Sequence, residues 1–122
     1  MKSRAPLLAV TLFVSDLDRS TAFFAALGFH CEPCPEDWGR AVEVVVGGID
    51  APLIELFTAN DTCPISRCQL VFQVSDVVPV ATALTANRVD WDCRGSNSLE
   101  TRDPDGNRVF VHGLEPSSHQ IR

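Results

Sequence analysis

No apolar run in this sequence approaches the roughly 20 residues that a helix needs to cross a bilayer, so the chain reads as soluble, with no membrane partner. Positive charge is scarce too. Lysine and arginine number 10 against 16 aspartates and glutamates, a net charge of -6. A phosphate backbone or an anionic lipid surface would be repelled, which argues against a nucleic-acid partner. The opening "MKSRAPLLAVTLFV" has the charged start and apolar stretch of an export signal but lacks a small-x-small cleavage site before "SDLDRS"; it is read instead as leading into a buried strand. The five cysteines, Cys31, Cys34, Cys63, Cys68 and Cys93, are odd in number. Without an export signal they point to reduced thiols in a cytoplasmic protein. "CEPC" follows an apparent helix end, whereas a redox-active pair sits at a helix start. His30 is the one histidine near enough to complete a zinc site between "CEPC" and "CPISRC", and the spacing is irregular. No G-x-S-x-G elbow, H-E-x-x-H helix or glycine-rich phosphate loop occurs.

What the chain does have is a repeat. With 122 residues and 45% hydrophobic content it can bury one core but not two ordinary ones, so a single domain over 1–122 is expected. "VSDLDRSTAFFAALGF" begins with three residues that return as "VSDVVPVATALTANRV", Asp76 standing 60 residues after Asp16. Before each lies a strand-forming run, "LAVTLFV" and "QLVFQV". Asp16 or Ser20 can cap the first helix, and Gly28 can end it. The stretches "HCEPCPEDWG", "RAVEVVV", "APLIELFTA", "VDWDCRG", "SLETRD" and "RVFVHG" are of strand length and bounded by Gly, Pro or Asp, and "DPDGN" has the chemistry of a tight turn. The order is β-α-β-β-β twice, over about 7–59 and about 66–115, with a polar tail at 116–122 that needs a partner to order it. Two modules, each with a sheet face it cannot cover alone, must pair to build one core.

This duplicated module, with "VSDLDRSTAFFAALGF" at its first strand-helix junction and "DPDGNRVFV" before its last strand, resembles the vicinal oxygen chelate superfamily. That group includes glyoxalase I, extradiol dioxygenases, and fosfomycin and bleomycin resistance proteins. The first motif is close to the family's V-x-D-hydrophobic-x-x-S-x-x-F-Y-x-x-x-L-G-F, with Phe24 where tyrosine is common. The resemblance runs from about Leu8 to about Leu114. It implies an α+β fold whose two βαβββ modules form an open, eight-stranded, incomplete barrel around a concave ligand cup.

Strand alternation sorts the side chains into two faces. Leu8, Val10, Leu12 and Val14 make one face of the first strand and Ala9, Thr11 and Phe13 the other. Ile54 and Leu56 oppose Leu53, Glu55 and Phe57; Leu70, Phe72 and Val74 oppose Gln69, Val71 and Gln73; Val109 and Val111 oppose Phe110 and His112. The second set mixes aromatic, amide, carboxylate and imidazole groups, as a small-molecule pocket does. Trp38 and Trp91, in corresponding second strands, are expected near its mouth, where they can stack on a ligand. In metal-dependent members the resemblance places ligands at Ala9, Glu55, Gln69 and Phe110. Two of these offer no donor atom, and one carboxylate with one amide is a poor pair for a divalent ion. No metal and no cofactor are expected. His112 is on the right face but two residues from the usual position.

The first functional reading is a metal-independent binding protein of the bleomycin-resistance type, sequestering a partly aromatic, cationic drug or metabolite. Glu55 is the ionic anchor, Gln69, Gln73 and His112 orient the ligand, and Phe13, Trp38, Phe57, Trp91 and Phe110 are the walls. The resemblance also implies a homodimer, which would bury open sheet edges. The alternative is a glyoxalase-type lyase or isomerase with an atypical metal site or with Glu55 as general base.

Overall fold

Both motif aspartates do the same job. The Asp16 carboxylate accepts the backbone N–H of Arg19 at 3.1 Å, and Asp76 accepts that of Val78 at 2.9 Å, so each satisfies a donor that the first turn of a helix leaves open. Ser20, the other capping candidate, is instead fully buried within its helix, its hydroxyl without a hydrogen-bond partner among the described residues. The computed structural model describes residues 5–34, 40–48 and 51–114. Trp38 and the tail 116–122 lie outside them.

The first repeat comprises β1 (Ala9–Val14), α1 (Leu17–Ala26), β2 (His30–Pro33), β3 (Ala41–Val45) and β4 (Leu53–Thr58). The second comprises β5 (Gln69–Val74), α2 (Val78–Ala86), β6 (Trp91–Cys93), β7 (Ser98–Arg102) and β8 (Arg108–Gly113). Each makes its own four-stranded mixed sheet, in the orders β1-β4-β3-β2 and β5-β8-β7-β6. This is an α+β fold built from two βαβββ modules. Contacts divide the chain accordingly into two units, one of residues up to Ala25 with Phe29–Ser66, the other of Ala26–Gly28 with those from Arg67 on.

In each sheet the first and last strands of the module run parallel and side by side, β1 with β4 and β5 with β8. The remaining pairs are antiparallel. Alternation separates the faces of β1, β4 and β8, whereas Val10, Leu70, Phe72 and Val74, expected on the buried faces, are only half-buried. Leu12, Val14, Val44, Ile54 and Leu56 are buried in the first, and Leu99, Val109 and Val111 in the second. Burying each such side chain is worth roughly 1.5–3 kcal/mol. Leu8 departs from the predicted buried face: it precedes β1 and is 77% exposed, and its carbonyl accepts the N–H of Leu53 at 3.0 Å.

Two loops fasten strands that alternation alone would leave loose. After β4, the chain doubles back along the outer edge of β1. Ser66 gives its N–H to the Phe13 carbonyl and takes the Phe13 N–H on its hydroxyl, both at 2.8 Å, which covers part of an otherwise bare strand edge. In the second module "DPDGN" is a turn wrapped around Asp103. This buried carboxylate accepts the N–H groups of Asp105 and Asn107 and the Asn107 amide. The Asn107 side-chain oxygen in turn accepts the N–H of Cys68, just ahead of β5.

Both helices end in the same way, with an N–H reaching back to the carbonyl five residues earlier: Phe29 to Phe24 at 3.2 Å and Val89 to Leu84 at 2.9 Å. This ending needs a left-handed residue, usually glycine. The first repeat has Gly28, with φ 101°, and the second has Arg88, with φ 60°. A side chain in that region costs about 1 kcal/mol. Replacing Arg88 with glycine is therefore expected to raise unfolding stability by about 0.5–1 kcal/mol in urea titrations, although glycine ordinarily destabilises.

Candidate functional site

On the open face of the first sheet, parallel pairing sets Thr11 beside Glu55 and Phe13 beside Phe57. The Thr11 hydroxyl donates to the Glu55 carboxylate at 3.0 Å. The rings of Phe13 and Phe57 lie with centroids 6.0 Å apart, tilted by 38°. The result is a half-buried carboxylate beside an aromatic pair, whose Phe13 backbone is held by Ser66. The row continues across the sheet, because Glu55 is opposite Glu43 and Glu43 is opposite Glu32. Three carboxylates on adjacent strands, about 5 Å apart at their Cα atoms, oppose one another at a cost to the sheet. Thr11 binds the Glu55 end, and His30 contacts Glu32 at 2.8 Å at the other. Glu55 was legible in the sequence, but Thr11, Glu43 and Ser66 as its companions were not.

The open face of the second sheet has a different chemistry. Pairing sets Gln69 beside Arg108, Val71 beside Phe110 and Gln73 beside His112, so four of the predicted site residues do share one surface. His112 is tied to the Ser98 hydroxyl through Nδ1 at 2.6 Å, and its ring lies nearly parallel to Phe110 with centroids 6.5 Å apart. On the other side of Phe110 the Arg108 guanidinium stands 5.2 Å from the ring centroid. Beside Phe110 on β7 is Glu100, buried at 7% exposure. Arg108 Nε donates to it at 3.0 Å and Arg94 Nε at 2.7 Å. These donors, Arg108 first, pull the Glu100 carboxyl down to about 2, and the same contact pushes the Arg108 guanidinium up.

Trp91 does not join this surface. Its pairing partner is Thr101, a buried residue on the opposite face from Glu100 and Phe110. Its indole N–H donates to the Thr85 hydroxyl of α2 at 2.9 Å. The ring packs at the helix end, beside a hollow of about 510 Å³ bounded by Thr85, Arg88 and residues 89–93. The expected place of Trp91 at the mouth of the cup is thereby corrected. "VDWDC" carried the signal, since Val89, Trp91 and Cys93 alternate with Asp90 and Asp92.

No disulfide joins the five cysteines, and burial pushes the Cys31 and Cys68 thiols up, with Asp103 adding to the effect at Cys68. A thiol held protonated is a poor nucleophile. The exposed Cys93 is expected to react with an aromatic disulfide reagent faster than Cys31 or Cys68, as peptide mapping after timed labelling would show.

No family model and no curated protein matches this chain. Solved structures do. TnmS3, an antibiotic binding protein from Streptomyces sp. CB03234, is 22% identical, superposes with a TM-score of 0.72, and the match covers 96% of this chain and 100% of that one. A glyoxalase/bleomycin resistance protein from the same organism is 23% identical, with a TM-score of 0.67 and coverage of 87% and 98%. Lactoylglutathione lyase from Agrobacterium tumefaciens is 22% identical, with a TM-score of 0.66 and coverage of 93% and 96%. The chain has the fold of the vicinal oxygen chelate superfamily.

The metal ligands of that superfamily come from the first and last strands of each module, and the residues here do not fit a metal. Ala9 is opposite Leu53 and Glu55 opposite Thr11; Gln69 is opposite Arg108 and Phe110 opposite Val71. Within each module the two candidate positions are thus offset by two residues, about 7 Å along a strand. Alanine and phenylalanine bring no donor. Among the described residues no group of three or more His, Cys, Asp or Glu side chains is placed to hold an ion, and no helix is long and apolar enough to cross a membrane.

Glu100 makes the second sheet sensitive to acid. A carboxyl whose folded pKa is depressed stabilises the fold fully above its unfolded value, near 4.5, and the contribution is lost as the pH falls towards 2. The stability difference between the wild type and Glu100→Gln is expected to shrink across that window and to stay constant from pH 6 to 8, as denaturation at stepped pH would show.

Proposed function

We propose that this protein binds and sequesters a small, partly aromatic, cationic molecule, a drug or a metabolite, without a metal. One observation carries the reading: the Glu55 carboxylate, oriented by Thr11, stands next to the Phe13–Phe57 pair in line with Glu43. A cationic group placed there gains a charge-assisted bond to Glu55 and the faces of two rings, and it relieves the repulsion between neighbouring carboxylates. On the second module, Gln69, Gln73, Phe110 and His112 form an open surface of their own with hydrogen-bonding groups around an apolar centre, a further place for a ligand to bind. The lack of donors at Ala9 and Phe110 supports binding over metal-dependent lyase chemistry. That TnmS3 is an antibiotic binding protein agrees with this reading.

Cytoplasmic residence and a homodimer belong to the same proposal. The dimer would elute in light-scattering chromatography at about twice the 13.3 kDa of one chain. Calorimetric titration with cationic aromatic compounds, first selected by thermal shift, tests the anchor. Glu55→Gln is expected to weaken a cationic hit by on the order of 1–3 kcal/mol and to leave a neutral aromatic compound unaffected. Equal affinity of the two proteins for every cationic hit, or stoichiometric nickel, zinc, manganese or iron in purified protein, would overturn the reading.

A further inference from the structure

We infer that the open face of the second sheet is a subsite for an acidic aromatic group, a flat ring bearing a carboxylate or phenolate oxygen. The inference rests on the small-molecule reading above and adds a second charge requirement, opposite to that at Glu55. Three flat groups stand in sequence on alternate residues of β8: the Arg108 guanidinium 5.2 Å from the Phe110 centroid, Phe110 itself, and the His112 ring nearly parallel to it. Val71, the neighbour of Phe110 on β5, is 58% exposed, so the apolar centre of this platform faces outwards.

Its charge is set by two carboxylates and three guanidiniums. Glu100 is shared by Arg94 and Arg108, Asp92 is opposite Glu100 on β6, and Arg102 is opposite Arg108 on β7, so this face keeps one more positive than negative group. Arg108 contacts Glu100 through Nε and Nη2, which leaves Nη1 outside the pair. A guanidinium carries five donors in a rigid plane; with one edge held by Glu100, the other is set in orientation before any ligand arrives. The residues beside Arg108 across the sheet are Gln69 and Arg102, neither an acid. An aromatic ring on Phe110 and Val71 would bring an acidic oxygen to this free edge, whereas a cationic ring there would meet a like charge. His112, held by Ser98, and Gln73 present polar atoms at the opposite end of the platform.

The probes are 2-naphthoate, the neutral 2-naphthamide and the cationic 2-naphthylmethylammonium, titrated into the isotopically labelled full chain and followed by NMR. Naphthoate is expected to shift the Arg108 side-chain and the Phe110 and Gln69 backbone resonances, to bind about tenfold more tightly than naphthamide, and to lose about tenfold in Arg108→Gln. Phe110→Leu, which keeps Glu100 between its two arginines, guards against a folding artefact; it is expected to weaken naphthoate about fivefold at unchanged thermal midpoint. Equal binding of naphthoate and naphthamide, or naphthoate binding indifferent to both substitutions, would overturn the inference. If that happens while naphthylmethylammonium still depends on Glu55, the cationic-ligand reading stands and only the acidic subsite fails. Naphthoate dependent on Arg108, with the cationic probe indifferent to Glu55→Gln, would uphold the subsite and remove the anchor.

Discussion

Everything distinctive in this molecule depends on one pairing within each module, in which the last strand returns to lie parallel to the first. The pairing sets residues 44 positions apart in the first module side by side, Thr11 with Glu55 and Phe13 with Phe57, and 39 apart in the second, Gln73 with His112. Parallel neighbours need a long connection, and here the helix and two further strands supply it. Since paired residues share a face, the register of this contact decides which side chains cooperate. A slip by one residue would send Glu55 and Phe110 to the buried side.

The two modules place different charge patterns on the same geometry. The first collects three carboxylates in a row and tolerates their repulsion, while the second buries one carboxylate between two arginines. A buried pair of this kind is weak evidence for stability by itself. Its effect here is orientation, because Glu100 holds Arg108 over Phe110. Two of the positions that the resemblance assigns to metal ligands, Ala9 and Phe110, carry no donor atom.

Repetition also shows where the modules are free to differ. Asp16 and Asp76 each accept a backbone N–H at the start of their own module's helix, and both helices close on a left-handed residue. The capping is local and does not depend on what the sheets bind. The strand faces have diverged most, Phe13 corresponding to Gln73 and Glu55 to Phe110.

The sequence by itself determined the two modules, their element order, the apolar and open faces of four strands, and the turn at "DPDGN". These follow from period-two alternation, capping residues and turn chemistry, all of which act over a few neighbouring positions. Leu8 marks the limit, since an apolar residue in phase with a strand is buried only if the strand extends that far. Trp91 marks another: its alternation with Asp90 and Asp92 was readable, but correspondence with Trp38 suggested an open position. Only the tertiary structure decided that Thr11 orients Glu55, that Ser66 straps β1, that Glu43 and Glu32 extend the carboxylate row, and that Arg94 and Arg108 share Glu100. Such contacts join residues far apart in the chain, and their identity depends on a register set by the packing of whole strands.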